Sequence, residues 1–316
     1  MLFSRIQSVI FPIIILVMAV VSSQAYATSD SCRCVAFRFD DIQDYFLNNS
    51  QKQVIDTFQQ KNASLTIGII GNYFGNDKTL VDLIKIRLQN NNSELEVANH
   101  GWNHEDFTSF NKTAQSQLIK KTNEKIFNIL EVRPIGFIAP FNKINNDTFF
   151  SLHENNIRYI SSNVKYDVPP YKNKNNTLYH FPAASLTGDI DSNIVKWYGT
   201  THKETFAQIQ ASLINYGFAV VTLHPQEYSK RQGLNYTNEV DFNQIRELEF
   251  LIDDIRNNGL RIVTIKEIPE HSTYNQKYPE WIKQILAWYD SKKISADEVL
   301  NAIKFLTDKN IIKFKS

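Results

Sequence analysis

The sequence lacks an excess of charge of either sign. Its 34 Lys and Arg residues are matched by 33 Asp and Glu residues, which leaves a formal net charge of +1. A chain without a basic excess has no electrostatic footprint for nucleic acid or for an anionic membrane surface. Long apolar runs are missing as well, apart from one near the N-terminus, so no stable membrane span is expected once that run is removed.

The exceptional run is VIFPIIILVMAVV. It follows a single positive charge at Arg5 and precedes a small-residue site, Ala-Tyr-Ala, that ends at Ala27. The run is shorter than the roughly 20 residues of a spanning helix, and the pattern is typical of a secretory signal peptide. We therefore expect residues 1–27 to be cleaved and the protein to be secreted or attached to the cell surface, the alternative being an uncleaved anchor.

Cysteine is also scarce. The two cysteines, Cys32 and Cys34, are separated by one residue, which excludes the disulfide framework of many small exported domains. A thiolate metal site would need further ligands, and free thiols are unusual outside the cell. The state of the pair stays open, with a local disulfide favoured.

Short apolar runs alternate with helical patterns from Cys34 to about Ile268. Seven runs are predicted strands: CVAFRFD, SLTIGII, LEVANH, GFIAP, IRYISS, FAVVTLH and RIVTI. Strands that alternate with helices indicate βα units around a parallel sheet, which gives an α/β fold with enough units to close or nearly close a barrel. The segment 167–200 lacks a clear period and is predicted to be a long loop, within which TLYHFP is a candidate strand.

The C-terminal residues follow a different pattern. Two amphipathic helices are predicted, and Ser295 with Glu298 forms a capping box at the start of the second. We therefore divide the chain into a signal peptide (1–27), a barrel (28–272) and a helical module (273–316). The module resembles a small Trp-containing helical module of exported proteins of ammonia-oxidising archaea, which implies an archaeal protein that faces the outside of the cell. We expect the module to contact another protein or the cell surface.

Polar residues stand at the ends of several predicted strands. Asp40 and Asp41 end the first strand, His100 ends the third and is followed by His104, and His224 ends a late strand. Working residues in α/β barrels sit at the carboxyl ends of the strands. We therefore expect two carboxylates and three of the seven histidines at one rim.

The two histidines of HGWNH have the spacing of a metal site. On a helix, residues four apart lie roughly 6 Å apart on one face, so both imidazoles could reach one ion. One carboxylate of Asp40 and Asp41 would complete a three-ligand set that leaves a position open, as in catalytic zinc sites. The other carboxylate could then act as a base, since neighbours on a strand point to opposite faces unless the strand ends between them.

Four motifs in this order, FRFDD, HGWNH, APFN and TLHP, carry a family resemblance. They resemble the polysaccharide deacetylases of carbohydrate esterase family four, and look closest to a divergent branch of that family. The resemblance spans roughly Val35 to Ile268. It implies an incomplete, distorted β/α barrel of about seven strands, with a small C-terminal helical hairpin appended.

The resemblance also implies a metal site. Asp41, His100 and His104 match the ligands of a divalent metal, for which Zn²⁺ is expected and Co²⁺, Ni²⁺ or Mn²⁺ are alternatives. Asp40 matches the catalytic base and His224 the general acid.

The resemblance also implies an oxyanion donor, and other residues are candidates for the substrate groove. The backbone N–H of Phe141 would help to hold the oxyanion. Pro140, Asn142 and Trp197 are predicted to line the substrate groove, because aromatic rings are natural platforms for sugars. For Trp102 we favour plain packing in the core.

The sequence departs from the family pattern at two places. The family has an Arg two residues before the Pro of its third motif, where this chain has Ile138. We hypothesise that Arg38 takes its place, because residues i and i+2 share a strand face. The family Asp that tunes the acid histidine is not recognisable, with Asp167, Asp189 and Asp191 as candidates.

The expected function is hydrolytic removal of acetyl groups from N-acetylated or O-acetylated glycans. One alternative is an inactive carbohydrate-binding relative, which Ile138 makes plausible. Another is a metal-dependent hydrolase of a different carbon–nitrogen bond. The presence of both Asp40 and His224 favours an enzyme, because a binding protein needs neither residue.

Overall fold

The computed structural model describes residues 32–89, 94–163, 178–191, 196–271 and 280–309. The predicted signal peptide and Asp167 lie outside the described residues. Within the described ranges, no helix combines the length and apolar content that a membrane crossing needs. Cys32 and Cys34 are buried and joined by a disulfide.

All seven strands predicted from apolar runs are present, and TLYHFP contributes to an additional one. The strands in chain order are β1 (Cys34–Ile42), β2 (Leu65–Ile69), β3 (Leu95–Asn99), β4 (Gly136–Ile138), β5 (Tyr159–Ser162), β6 (Tyr179–Leu186), β7 (Gly188–Asp191), β8 (Lys196–Gly199), β9 (Phe218–Leu223), β10 (Ser229–Gln232), β11 (Asn235–Val240) and β12 (Arg261–Val263).

Seven parallel strands form a closed barrel. Their order is β1-β2-β3-β4-β5-β6-β9, and β9 pairs with β1 to complete the ring. β12 pairs with the first part of β1, from Cys34 to Ala36, while β2 pairs with its later part. The α/β barrel expected from the sequence is therefore confirmed, with seven strands in the ring.

Helices cover the outside of this barrel and continue into the C-terminal region. Their bounds are α1 (Asn48–Gln60), α2 (Lys78–Leu88), α3 (Lys112–Leu130), α4 (Asn146–Glu154), α5 (His202–Tyr216), α6 (Phe242–Asn257), α7 (Glu280–Asp290) and α8 (Ala296–Asp308). Several begin at side-chain caps that satisfy free backbone N–H groups. Ser295 and Glu298 form the predicted capping box of α8.

Alternation along β1 separates the helix-covered core from the barrel interior. Val35, Phe37 and Phe39 belong to the core cluster that packs under the helices, and the ring of Phe37 lies 4.9 Å from that of Phe58 on α1. The intervening residues belong to the other face of the strand. Arg38 is one of them, and its side chain is only 1% exposed.

Two antiparallel hairpins interrupt the βα pattern, and neither was predicted from the sequence. β7 pairs with β8, and β10 pairs with β11. The β7–β8 hairpin lies in the segment that was expected to be a long loop. Short strands of mixed polarity lack the continuous apolar run that revealed the buried strands, which explains why the sequence pattern missed them.

The C-terminal helices pack against the barrel helix α5. Leu286 on α7 shares a buried cluster with Ala207 and Ile214 of α5 and with Val299 and Ile303 of α8. The cluster covers an apolar face of α5. The two helices are therefore part of the folded core on that side of the barrel.

We expect Leu286→Ala to lower the free energy of unfolding of this region by about 2–5 kcal/mol, because it leaves a cavity in a packed cluster. Hydrogen exchange of the α7 and α8 amides, together with urea unfolding, measures the effect. Trp288→Ala, at a side chain that is 42% exposed, is the control and should change stability little. Equal effects of the two substitutions would contradict the packing described.

Candidate functional site

A break in β1 brings two neighbouring carboxylates to the carboxyl rim of the barrel. The register between β1 and β2 shifts between Phe39 and Ile42. Asp41 adopts φ 62°, in the left-handed region, which interrupts the alternation of a regular strand. Bulges of this kind re-aim side chains near active sites. Asp40 and Asp41 consequently reach different partners on the same rim.

His100 and His104 converge through a turn and not through a helix. Gly101 has φ 79° and His104 has φ 57°, and the segment after β3 forms no helical turn until Phe107. The expectation of helical spacing was wrong, because two left-handed residues reverse the chain within five positions. Their imidazole rings nevertheless lie 4.8 Å apart, centre to centre.

Asp41 and the two histidines form a compact group. Asp41 Oδ1 lies 3.3 Å from Nε2 of His100 and 3.3 Å from Nε2 of His104. Ligand atoms of the three residues all lie within 4.8 Å of one another, and within the described residues this is the one group of at least three His, Cys, Asp or Glu side chains with that closeness. The predicted ligand set is thus brought together in space.

The hydrogen bonding of His100 fits a metal ligand. Its Nδ1 lies 2.9 Å from the backbone oxygen of Ile138, and because a carbonyl only accepts, Nδ1 must donate. In the neutral ring Nε2 is then an acceptor. Nε2 is buried without a hydrogen-bond partner among the described residues, and it faces the Asp41 oxygen. Two facing acceptors need a cation or a proton between them, so the donor set suits a divalent metal.

His104 and Asp41 also have the protonation states of metal ligands. Burial lowers the pKa of His104, the charge of His100 lowers it further, and the net value is about 4. Burial raises the pKa of Asp41, but its close contact with His100 and the charges of His100, His224 and His104 bring the pKa well below its usual range. A neutral imidazole and an ionised carboxylate are the forms that bind metals.

Asp40 is held by a buried arginine from its own strand. Arg38 Nε donates to Asp40 Oδ1 at 2.9 Å, and Arg38 Nη2 donates to Asp40 Oδ2 at 2.7 Å. The guanidinium also donates to Ser161 Oγ at 3.0 Å and to Asn142 Oδ1 at 3.1 Å. A planar fork with several partners has little freedom to rotate. The Asp40 carboxylate is therefore fixed in orientation by Arg38.

Ile138 occupies the position of the missing arginine. Its side chain is fully buried and packs close to Gly68, where an added Cβ would lie 3.0 Å from Ile138 Cδ1. Its backbone oxygen accepts the hydrogen bond from His100. An apolar side chain thus fills this position, while the charged contact to Asp40 comes from Arg38 on β1.

His224 lies on the other side of Asp40. Its Nε2 is 3.9 Å from Asp40 Oδ2, and its Nδ1 is 3.0 Å from Glu227 Oε1. The ring of Trp197 lies against it, with centroids 4.2 Å apart. Burial lowers the pKa of His224, but the hydrogen bond and charge of Glu227, with the charges of Asp40 and Asp41, raise the pKa above its ordinary value.

Glu227 is the residue that sequence reasoning missed. It is buried, and Thr187 donates a hydrogen bond to its second oxygen. Gly188 is essential for the fit, because a Cβ there would clash with the Glu227 side chain. The available signal was its position three residues after His224 in HPQE, whereas the family pattern has an aspartate in this role.

Of the aspartates proposed to tune His224, Asp189 does not take this place. Asp189 is exposed and accepts a hydrogen bond from Tyr198 at 3.2 Å, while Glu227 is the carboxylate bonded to His224. The side chain of Asp191 and the whole of Asp167 lie outside the described part of the chain. The expectation for Asp189 was wrong because the carboxylate comes from the turn that carries the histidine itself.

The predicted substrate residues surround this group. Pro140 and Phe141 follow β4, and the left-handed φ of 55° at Phe141 turns the chain so that its ring lies 4.5 Å from that of His104. The Phe141 side chain is 58% exposed. Asn142 is bonded to Arg38, and Trp197 covers His224. Trp102 packs close to Gly71, as expected for a packing residue.

A closed β/α barrel with this carboxylate–histidine rim defines a barrel hydrolase. Residues 27–160 match the family described as polysaccharide deacetylase, which supports a deacetylase hydrolase. No curated protein matches the sequence at a significant level. His224 lies beyond the matched segment, and its place beside Asp40 comes from the structure.

Solved structures share the barrel fold at low sequence identity. A Mycobacterium smegmatis protein assigned as a polysaccharide deacetylase is 16% identical, with a TM-score of 0.59 over 82% of this chain and 98% of its own. A peptidoglycan N-acetylglucosamine deacetylase is 16% identical, with a TM-score of 0.51 over 77% and 91% of the two chains. A mutant of a Bacillus anthracis CE4 family pseudoenzyme is 13% identical, with a TM-score of 0.51 over 79% and 71%.

We expect Arg38→Ala to destabilise the protein by about 3–5 kcal/mol, because it leaves a buried carboxylate without its partner. Arg38→Lys keeps the charge but cannot make the forked contacts, so its loss should be intermediate. Urea unfolding measures both. A loss for Arg38→Ala of the size seen at an exposed ion pair, below about 1 kcal/mol, would show that Arg38 does not hold Asp40.

Proposed function

We propose that the protein is a metal-dependent deacetylase that hydrolyses the acetyl groups of N-acetylated or O-acetylated glycans. The observation that carries this proposal is the convergence of Asp41, His100 and His104 directly beside Asp40 and His224. Asp41, His100 and His104 would hold the cation, for which Zn²⁺ is our choice, while Co²⁺, Ni²⁺ or Mn²⁺ also suit these donors. When bound, the cation supplies Lewis-acid activation of water and of the acetyl carbonyl.

Asp40 is the proposed general base. Arg38 donates hydrogen bonds to the Asp40 carboxylate, and the same guanidinium also donates to Asn142. The orientation of the Asp40 carboxylate is therefore set before substrate arrives. Asp40 takes a proton from the attacking water as the new carbon–oxygen bond forms. A pre-oriented base of this kind contributes roughly 10²–10⁴-fold to rate.

The backbone of the turn after β4 is proposed to support the same step. The N–H of Phe141 is the candidate donor to the oxygen that gains negative charge when water adds to the carbonyl. Backbone donors that are fixed before reaction stabilise such charge without reorganisation. Pro140 and the left-handed Phe141 give this turn its shape.

His224 is the proposed general acid. Its Nδ1 is bonded to Glu227, so Nε2 faces Asp40 and the site. Nε2 gives its proton to the departing nitrogen as the carbon–nitrogen bond breaks, which yields acetate and a free amine. For an ester, the departing oxygen takes the same proton.

The glycan is proposed to lie across an aromatic rim. The ring of Phe141 lies 4.5 Å from that of His104, and the ring of Trp197 lies 4.2 Å from that of His224, so an apolar ring flanks the site on each side. Asn142 places its side-chain amide at the edge of the site.

We further propose that the protein works outside the cell, either secreted or at the cell surface, on the basis of the predicted signal peptide. We also propose that the C-terminal helices contact another protein or the cell surface.

The decisive experiment combines metal analysis with acetate release from acetylated chitooligosaccharides and from cell-wall glycan. We expect bound divalent metal and acetate release, with Asp40→Asn lowering kcat at least about 100-fold. Asp253→Asn, on the outer helix α6, is the matched control and should be fully active. Metal without release from any acetylated glycan would instead support the carbohydrate-binding alternative.

Glu227 should set the basic limb of the pH profile. The acid works only when protonated, so activity falls as pH rises through the pKa of His224, which Glu227 helps to raise. Glu227→Gln removes that charge and should move the falling limb of kcat/KM to lower pH. The control is Glu239→Gln at an exposed carboxylate of β11. A limb that moves equally in both variants, or in neither, would remove Glu227 from this role.

A further inference from the structure

We infer that Gln226 is a positioning residue for Asp41 and that it sets the affinity of the site for its metal. This inference rests on the metal site proposed above. Gln226 lies in the turn Pro225–Tyr228, between the proposed acid His224 and its partner Glu227. Its side chain, however, points to the other half of the site.

The two oxygens of Asp41 have separate partners. Oδ1 faces the Nε2 atoms of His100 and His104, at 3.3 Å from each. Oδ2 accepts a hydrogen bond from Gln226 Nε2 at 3.4 Å. A carboxylate bonded through one oxygen cannot rotate freely about its Cβ–Cγ bond. Gln226 therefore holds the oxygen that would ligate the metal in its direction toward the histidines.

The backbone of Gln226 is fixed by its neighbours. Ser229 Oγ donates to the backbone oxygen of Pro225 at 2.8 Å, and Ser50 Oγ donates to that of Tyr228 at 3.0 Å. Glu227 beside it is fully buried by the same turn. Because the backbone of this turn is constrained, the Gln226 side chain can hold Asp41 in a fixed orientation.

The amide of Gln226 is not used for packing elsewhere. Its Oε1 is buried without a hydrogen-bond partner among the described residues, which is unfavourable for a polar atom. A Leu or Met would fill the same space without that cost. The amide is thus explained by what its Nε2 does, namely the contact to Asp41. Being neutral, it orients the carboxylate without cancelling the charge that attracts a cation.

Partners of metal ligands usually change metal affinity by about 10–100-fold when they are removed. We therefore expect Gln226→Met, which keeps the length but loses the donor, to raise the Kd for Zn²⁺ and Co²⁺ about 10-fold or more. Competition with a chelator measures the Kd on the full chain. The visible absorption bands of the Co²⁺-loaded protein, which respond to ligand geometry, should shift as well.

Gln232→Met, at an exposed glutamine at the end of β10, is the matched control and should bind as the wild type does. If Gln226→Met fails to fold by circular dichroism, Gln226→Ala replaces it. Wild-type Kd and spectrum in the Gln226 variant would overturn this role and leave the metal site intact. Absence of metal binding by the wild type would overturn the proposed site, and the role of Gln226 with it.

Discussion

Three acceptor atoms that meet at one point impose the main constraint on this structure. Asp41 Oδ1 and the Nε2 atoms of His100 and His104 face one another, and because Nδ1 of His100 donates to Ile138, the neutral His100 ring presents an acceptor at Nε2. Neutral imidazoles and a carboxylate in this arrangement are stable only around positive charge. The break in β1, the turn after β3 and the backbone of β4 all serve to make this arrangement.

The rest of the site is built on the same strand. β1 pairs with β2, β9 and β12, so it has three strand partners. Arg38 points into the interior and fixes Asp40 at the end of the strand, while Phe39 between them belongs to the core cluster under the helices. Because base and ligand are adjacent in sequence, any movement of one is transmitted to the other. The turn after β9 adds His224, Gln226 and Glu227 to the same point.

Much of the fold and of the candidate site could be predicted from the sequence, because both depend on where the strands end. Apolar runs locate the parallel strands, and the order of these strands places Asp40, His100 and His224 on one rim. The contact of Arg38 with Asp40 followed from the period of two along a strand. What could not be predicted depends on backbone reversal: the turn that joins His100 to His104, and the turn that brings Glu227 under His224. Left-handed residues such as Asp41 and His104 carry no pattern that reveals them.

The role of Ile138 shows how a site can keep its geometry while a charged group changes position. The apolar side chain packs against Gly68, and its backbone oxygen orients His100, so the position supports the metal side of the site. The charged support of Asp40 comes from Arg38 on its own strand, β1. The most direct test of the whole account is an anomalous difference map, at the cobalt absorption edge, from crystals grown with Co²⁺. The account predicts a strong peak bonded to Asp41, His100 and His104; a map with no peak at these three residues would contradict it.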